Sequence, residues 1–270
     1  MRFRNSYIPL NDDVNKLLAF APSLDRNWRD NQRIKSKPFQ IETLDVVNGL
    51  RDEGWKVGGV AQNVNKNSRK MMNHFVKLYH PDYKLYTGEN RASSNNSGTI
   101  AAMNVSNSCT GFNPLEMDLG AYRLVCANGL VAFDRVGDFH ESIQHTEVNF
   151  KELEGILCGI NLKTEGVMKE FGKLQERELS DYEMAELAEK ASNIRFSKTQ
   201  NEINSMQLLN VVRDEDRGNN LWTVYNRIQE NLTQTGKIVD STGKVLSGTL
   251  NPREDTRVNK ELFKLVHAYA

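Results

Sequence analysis

The chain has 270 residues, and its 35 lysines and arginines balance its 35 aspartates and glutamates to a formal net charge of +0. This balance excludes a uniformly basic nucleic-acid-binding protein, so any such surface has to be a local patch. No apolar run is long enough to span a bilayer, and the start of the sequence lacks a signal-peptide pattern. The three cysteines have no CxxC spacing, which is typical of reduced thiols, and we expect a cytoplasmic protein.

Residues 1–40 are expected to form an N-terminal arm. Asn11 can cap a short helix, because its side chain accepts hydrogen bonds from the amides of a helix N-terminus, and Pro22 ends that helix. The polar run at 26–37 shows no apolar period and is expected to be a loop.

A helix and a strand follow the arm. Residues 43–53 repeat apolar side chains on one helical face and stop at Gly54. Trp55 to Val60 predicts a first strand with a glycine bulge, and residues 100–105 predict another strand further along the chain.

Basic and aromatic side chains are interleaved between positions 66 and 84, with Asp82 as the one acid among five cations. Such a pattern suits a surface that tracks the phosphates of single-stranded nucleic acid and stacks its bases. The alternative is a sheet edge guarded by lysines. The residues predicted to contact nucleic acid are Arg69, Lys70, Lys77, Tyr79, Lys84 and Arg123.

The most distinctive stretch is 107–133, NSCTGFNPLEMDLGAYRLVCANGLVAF. Apolar and acidic residues alternate at 115–119, which predicts a strand with one buried face. Gly120 is expected to interrupt this strand, and 121–127 to form a second, more apolar one. Asn128-Gly129 favours a two-residue hairpin turn into a returning strand, since both residues tolerate a positive φ.

Arg123 stands among apolar neighbours in this stretch, where a charge has to be paired or used. One interpretation is an ion pair with Glu116 or Asp118. The other is contact with a phosphate or carboxylate of a ligand.

The second half of the sequence is helical in character. Apolar residues from Phe150 to Leu174 recur at alternating steps of three and four, the pattern of a seam on one long helix. That helix either lies across the sheet or forms an intersubunit coiled seam. Ser180 and Glu183 predict a capping box at the start of the next helix. Further helices are predicted at 204–212, 220–234 and 259–269, with a short hairpin at 237–246.

These elements predict an α+β fold: an antiparallel meander sheet with a long helix packed across it and a helical C-terminal half. We expect a single domain at 41–270, with mostly strands at 41–146 and mostly helices at 147–270.

No enzyme motif is present: the sequence lacks a phosphate-binding GxxxxGK[ST], a GxSxG and an HExxH. His140 and His145 have the wrong spacing for one helical face, which argues against a metal site. We therefore predict no catalytic residue, no cofactor and no metal ligand, although an enzyme of an unrecognised class remains a third interpretation.

The stretch 107–133 resembles the signature of the phage- and plasmid-like proteins grouped as domain of unknown function 932. In that family an Asn-Ser-x-x-Gly segment leads into an Arg-Leu-Val-Cys-x-Asn-Gly-Leu-Val core, and the match is tight over Tyr122 to Val131. It is looser at Cys109-Thr110-Gly111-Phe112, where the family usually has His-Asp-Gly-Ser. The resemblance implies a mobile-element origin and carries no catalytic residues.

The first functional hypothesis is a cytoplasmic protein that binds single-stranded DNA during phage or plasmid recombination or replication, as an oligomer that anneals strands. The second is an anti-defence factor that binds a host restriction or nuclease protein. Between Glu147 and Lys190 the chain has eleven acids against six bases, and such helices could imitate a phosphate backbone. Neither hypothesis involves a membrane.

Overall fold

The structure is a computed structural model that describes residues 8–31, 37–62, 73–86, 98–123, 140–199, 201–233, 238–246 and 252–270. The predicted turn at Asn128-Gly129, the strand after it, and the predicted contacts Arg69 and Lys70 lie outside the described residues.

A six-stranded sheet organises the fold, and each strand pairs with the next one in the chain in antiparallel fashion. The predicted α+β fold with an antiparallel meander is therefore confirmed. The strands are β1 (Ile8–Pro9), β2 (Lys56–Gln62), β3 (Asn73–Tyr86), β4 (Gly98–Ser108), β5 (Leu115–Arg123) and β6 (His140–Ile143).

Two expectations about the strands are corrected. Gly120 does not interrupt β5, because it pairs with Ala102 and the ladder to β4 continues to Arg123. The basic β3 is not an edge strand, since β2 and β4 flank it on both sides. The predicted glycine bulge in β2 is confirmed by the register shift between Val57 and Gly59.

Seven helices are described: α1 (Val14–Phe20), α2 (Arg26–Asn31), α3 (Thr43–Asp52), α4 (Glu147–Glu176), α5 (Asp181–Phe196), α6 (Leu221–Thr233) and α7 (Pro252–His267). The expected loop at 26–37 thus begins as a helix. The predicted helix at 204–212 is only a short 3-10 turn at Ser205–Leu209, and the last helix starts seven residues before the predicted 259. Asn11 is not the cap of α1: Asp13 precedes the helix, and Asn11 has a φ of 48°.

The thirty-residue α4 is the predicted long helix, and its seam faces the core. Leu153, Ile160, Val167, Phe171 and Leu174 are all buried. The first half of α4 packs against α3, and its second half packs against α6, where the ring centroids of Phe171 and Trp222 are 5.2 Å apart. Helix α4 also contacts β3 and β5, so it lies across the sheet, as the first interpretation of this helix states.

Side chains of the first 40 residues take part in the same core. Leu10, Leu17 and Leu24 are each 2% exposed or less and belong to the main apolar cluster. Hydrogen bonds from Leu10 and Asp12 to carbonyls of β2 tie this segment to the sheet.

The predicted capping box at the start of α5 is present. The Ser180 hydroxyl accepts a hydrogen bond from the Glu183 amide at 3.3 Å, and the Glu183 carboxylate accepts one from the Ser180 amide at 2.8 Å. We expect Ser180→Ala to lower the free energy of unfolding by about 1 kcal/mol, since it leaves a helix-terminal amide without its acceptor. Urea denaturation measures this change. Ser197→Ala, at the other end of α5, is the control, and an equal loss there would contradict the assignment.

Candidate functional site

One face of the sheet is apolar and the other is polar. Val76, Leu78, Met103, Val105 and Met117 lie on the apolar face and are buried in the core. On the opposite face, four polar side chains occupy one row across four neighbouring strands. These are Lys77 on β3, Asn104 on β4, Asp118 on β5 and His140 on β6, each paired in register with the next.

Helix α7 covers this row and supplies two further charges. The ammonium of Lys77 lies 3.7 Å from a carboxylate oxygen of Asp255, and that of Lys260 lies 2.9 Å from Asp118. Asp118 also pairs with Nδ1 of His140 at 2.6 Å. The result is a charge-balanced network between the sheet and α7.

The surroundings of His140 and Lys77 shift the pKa of both side chains. The hydrogen bond to Asp118 raises the pKa of His140 above its ordinary value. Burial lowers the pKa of Lys77, against the opposing effect of Asp255. The side chain of Lys77 is 7% exposed and faces Asp255, so it belongs to this network between the sheet and α7.

A second feature lies at the far end of β3, where the strand meets α4. A groove of about 620 Å³ is lined by Lys84 from β3 and by Lys169 and Lys173 from α4, with Glu176 as the acidic residue of its lining. All three lysines are exposed. Lys169 and Lys173 are four residues apart on α4 and therefore lie on the same side of the helix. We call this feature the lysine groove.

The structure also describes Tyr79 and the backbone of Arg123, two further residues predicted to contact nucleic acid. The ring of Tyr79 packs over Gly58, with its Cδ1 atom 3.2 Å from the position a Cβ would take there, and it is half-buried. Arg123 on β5 pairs with Thr99 on β4. On its other side, Thr99 pairs with Leu85 on β3, which lines the lysine groove. The backbone of Arg123 is thus at the groove end of the sheet, although its side chain is outside the described residues. Among the predicted contacts whose side chains the structure describes, Lys84 is the one that lines the lysine groove.

The Asn-Ser-x-x-Gly segment builds a buried hydrogen-bond network at the other end of the sheet. Asn107 donates through Nδ2 to the Ile41 carbonyl and to the Thr43 hydroxyl, both at 3.0 Å. Thr43 is hydrogen-bonded to Nε2 of His74, and Ser23 lies 3.3 Å from the other ring nitrogen of that histidine. This network ties the arm and the start of α3 to the sheet.

His145 belongs to the same network. Its Nδ1 accepts from the Ile41 amide at 2.9 Å, so its Nε2 carries the proton that it donates to the Asn113 carbonyl at 2.8 Å. Burial lowers the pKa of His145. Because His140 pairs with Asp118 instead, the two histidines have separate structural partners. Within the described ranges, no three His, Cys, Asp or Glu side chains come together as a metal-binding group.

A pocket of about 290 Å³ opens beside this network, on the polar face of the sheet. Its lining consists of Asn73, Phe75, Ser106, Asn107, Asn113, Pro114 and Glu116. Sequence reasoning missed this pocket, because its residues come from three strands and a loop whose register had to be known first.

A larger cleft, of about 720 Å³, lies between α5 and the hairpin at 238–246. Asp240, one of three acidic residues in its lining, forms hydrogen bonds within the hairpin and to Asn201. Hydrogen bonds from Thr242 and Asn201 hold the pKa of Asp240 at about 2, and the Lys244 amide also donates to it. These bonds shape the hairpin turn, so the carboxylate has a structural role.

The fold and these features define the class of the protein: an α+β protein built on a six-stranded antiparallel meander, with a lysine groove and a separate polar pocket. Residues 36–264 match the family model described as "Domain of unknown function (DUF932)". The chain belongs to this family.

Two curated relatives from Escherichia coli (strain K12) are similar to the chain. The UPF0380 protein YfjQ is 26% identical over 224 residues, which are 82% of this chain and 77% of the relative. The UPF0380 protein YafZ is 31% identical over 131 residues, 48% of this chain and 47% of the relative. No solved structure matches the chain. In the part of the chain that the structure describes, no helix is both long and apolar enough to cross a bilayer.

Proposed function

We propose that the protein binds single-stranded nucleic acid through the lysine groove, in the cytoplasm of a cell that carries the phage or plasmid encoding it. The observation that carries this proposal is the meeting of exposed lysines from two distant parts of the chain, Lys84 on β3 and Lys169 and Lys173 on α4, along one open groove.

The charges of this groove are available to phosphates. Lys173 pairs with Glu170 at 2.6 Å, but its side chain is 66% exposed and such a surface pair is worth little in water. Lys84 and Lys169 form no ion pair within the described residues. A phosphate that reaches these ammonium groups releases counterions, which supplies affinity without reading sequence.

An aromatic residue adjoins Lys84 along the chain, in keeping with the interleaved sequence pattern. Tyr83 directly precedes Lys84 and is half-exposed, and its ring lies 4.6 Å from that of His80. Burial raises the pKa of Tyr83, and the charge of Glu165 on α4 adds to this effect. A base can stack on such a ring while its phosphate contacts a neighbouring lysine.

The test is binding of a labelled thymine oligonucleotide at several salt concentrations, with duplex DNA for comparison. We expect Lys169→Glu combined with Lys173→Glu to weaken binding at least tenfold at low salt and to reduce the slope of log K against log salt by about 1.4, since each single-strand phosphate contact contributes about 0.7. Lys151→Glu combined with Lys244→Glu changes two exposed lysines outside the groove lining; it is the charge-matched control and should bind as the unmodified protein does.

Equal binding by the double variant and the unmodified protein would overturn the lysine groove as the interface. If the unmodified protein fails to bind at micromolar concentration, single-stranded nucleic acid is not its partner. A host protein would then be the partner to seek, with the acidic segment at 147–190 as the surface to test.

A further inference from the structure

We infer that the pocket on the polar face of the sheet binds a guanine base. This site goes beyond the proposed function and does not depend on it, because the pocket lies at the opposite end of β3 from the lysine groove. The inference rests on the shape of the pocket, its aromatic side chain and the hydrogen-bonding capacity that its polar groups have left over.

The pocket has the size and the lining of a small-ligand site. Its volume of about 290 Å³ is at the lower end of what such sites have, and suits one ring system rather than a large cofactor. The Phe75 side chain is half-buried in its wall, opposite Ser106 in the register of the sheet, and Pro114 adds a second apolar surface. A planar ring fits against such a wall better than a flexible chain does.

The carboxylate of Glu116 has acceptor capacity to spare. Its Oε2 accepts one hydrogen bond, from the Ser106 hydroxyl at 3.1 Å, whereas an ionised carboxylate offers about four lone-pair positions. Among the described residues no lysine or arginine forms an ion pair with Glu116. The pocket therefore favours a ligand that presents N–H donors, and it disfavours a phosphate or carboxylate inside it.

Two amides complete the pocket. Asn113 donates through Nδ2 to Oδ1 of Asn73 at 3.0 Å, which leaves the Asn73 amide group as a donor and the Asn113 oxygen as an acceptor. The Asn113 backbone is fixed by the hydrogen bond from His145, and Asn107 is held by its two bonds to the start of α3. The polar groups are thus positioned before any ligand arrives, which reduces the entropy lost on binding.

Guanine matches this set of groups more fully than the other bases do. Its N1–H and its exocyclic amino group are adjacent donors that one carboxylate can accept together, while its O6 is an acceptor for an amide N–H. Adenine and cytosine present a single amino group on the corresponding edge, and uracil presents a single N–H. One carboxylate therefore distinguishes guanine by one additional hydrogen bond, which is worth about tenfold or more in affinity.

The experiment is isothermal titration of the full chain with guanosine, adenosine, cytidine and uridine, which carry no phosphate. We expect guanosine to bind about tenfold more tightly than the other three. Glu116→Gln should remove this preference, because the glutamine amide presents N–H donors to the donors of guanine. Phe75→Leu should weaken all binding about tenfold through lost stacking. Glu154→Gln, on the exposed side of α4, is the control and should leave the preference intact.

A second experiment asks whether the pocket binds a base within a strand or a free nucleoside or nucleotide. It measures the binding of guanosine monophosphate and of thymine oligonucleotides that do or do not carry one guanine. Tighter binding of the guanine-containing strand identifies a base within a strand, and an unchanged affinity together with guanosine binding identifies a free nucleoside or nucleotide. Both results support the pocket. No binding of guanosine by the unmodified protein, or equal binding of all four nucleosides, overturns it. The variant with Lys169→Glu and Lys173→Glu should bind guanosine normally, so the failure of either proposal is recognised separately.

Discussion

Replacing Glu42 with alanine is expected to lower the free energy of unfolding by about 3 kcal/mol, one of the two largest effects we predict on the stability of this chain. Glu42 immediately precedes α3 and accepts hydrogen bonds from Arg29 through both carboxylate oxygens, each at 2.7 Å. The Arg29 guanidinium also donates to the Cys109 carbonyl at 2.9 Å. This arginine therefore joins α2, α3 and the Asn-Ser-x-x-Gly segment.

The size of the effect follows from the burial of the arginine. The side chain of Arg29 is 5% exposed and that of Glu42 is 20% exposed. Without the carboxylate, the positively charged guanidinium loses two acceptors in a place that water reaches poorly. An uncompensated buried charge of this kind costs several kcal/mol.

The measurement is urea denaturation of Glu42→Ala, Arg29→Met and the double variant. We expect the double variant to be more stable than Glu42→Ala, because it removes the charge that has lost its partner. Asp214→Ala is the control: Asp214 pairs with Arg217 at 2.8 Å, but both side chains are more than 70% exposed, so its loss should cost less than about 0.5 kcal/mol. If Glu42→Ala costs no more than Asp214→Ala does, the Arg29 pair contributes little to the stability of the fold.

Elements whose determinants are close together in the sequence could be predicted. The apolar seam of α4 recurs at helical spacing, the capping box of α5 needs only Ser180 and Glu183, and the glycine pair marks the bulge of β2. The α+β fold followed from the order of such elements along the chain. In each case the residues that determine the element are separated by only a few positions along the chain.

The functional surfaces depend on contacts between distant residues, and most of these could not be predicted. Lys77 has the sequence context of a phosphate contact, but the register of the sheet turns it toward Asp255, which is far along the chain on α7. Asp118 meets His140 only because β5 and β6 pair. Gly120 looked like an interruption because glycine weakens strands, yet here the ladder on its two sides continues through it.

Between pH 7.5 and pH 5.0, we expect His74 alone to lower the free energy of unfolding by about 2 kcal/mol. His74 is 1% exposed and lies between the Ser23 and Thr43 hydroxyls. Burial lowers its pKa to about 3, and the nearby charge of Arg29 adds to this effect. The folded chain therefore keeps this imidazole neutral over the whole interval.

The sign follows from the protons bound in each state. An unfolded chain protonates the histidine as the pH falls below about 6.5, whereas the folded chain does not until the pH approaches its lowered pKa. The unfolded state then binds more protons, so stability falls with falling pH at up to about 1.4 kcal/mol per pH unit. His140 acts in the opposite direction, because its pKa is raised by Asp118 and its contribution to stability is greatest at lower pH.

The contribution of His74 is isolated by comparing the unmodified chain with His74→Gln, in urea denaturation at pH 7.5 and pH 5.0. Glutamine does not titrate, so the variant should be less stable at pH 7.5 but should lose about 2 kcal/mol less on acidification. Nuclear magnetic resonance of the histidine rings provides a direct check in one sample: the His74 ring should remain neutral at pH 5.0, while the His140 ring gains its proton at a higher pH than a free histidine. Protonation of His74 near pH 6.5 in the folded chain would mean that water reaches the network, and that the Asn-Ser-x-x-Gly segment does not close this end of the sheet.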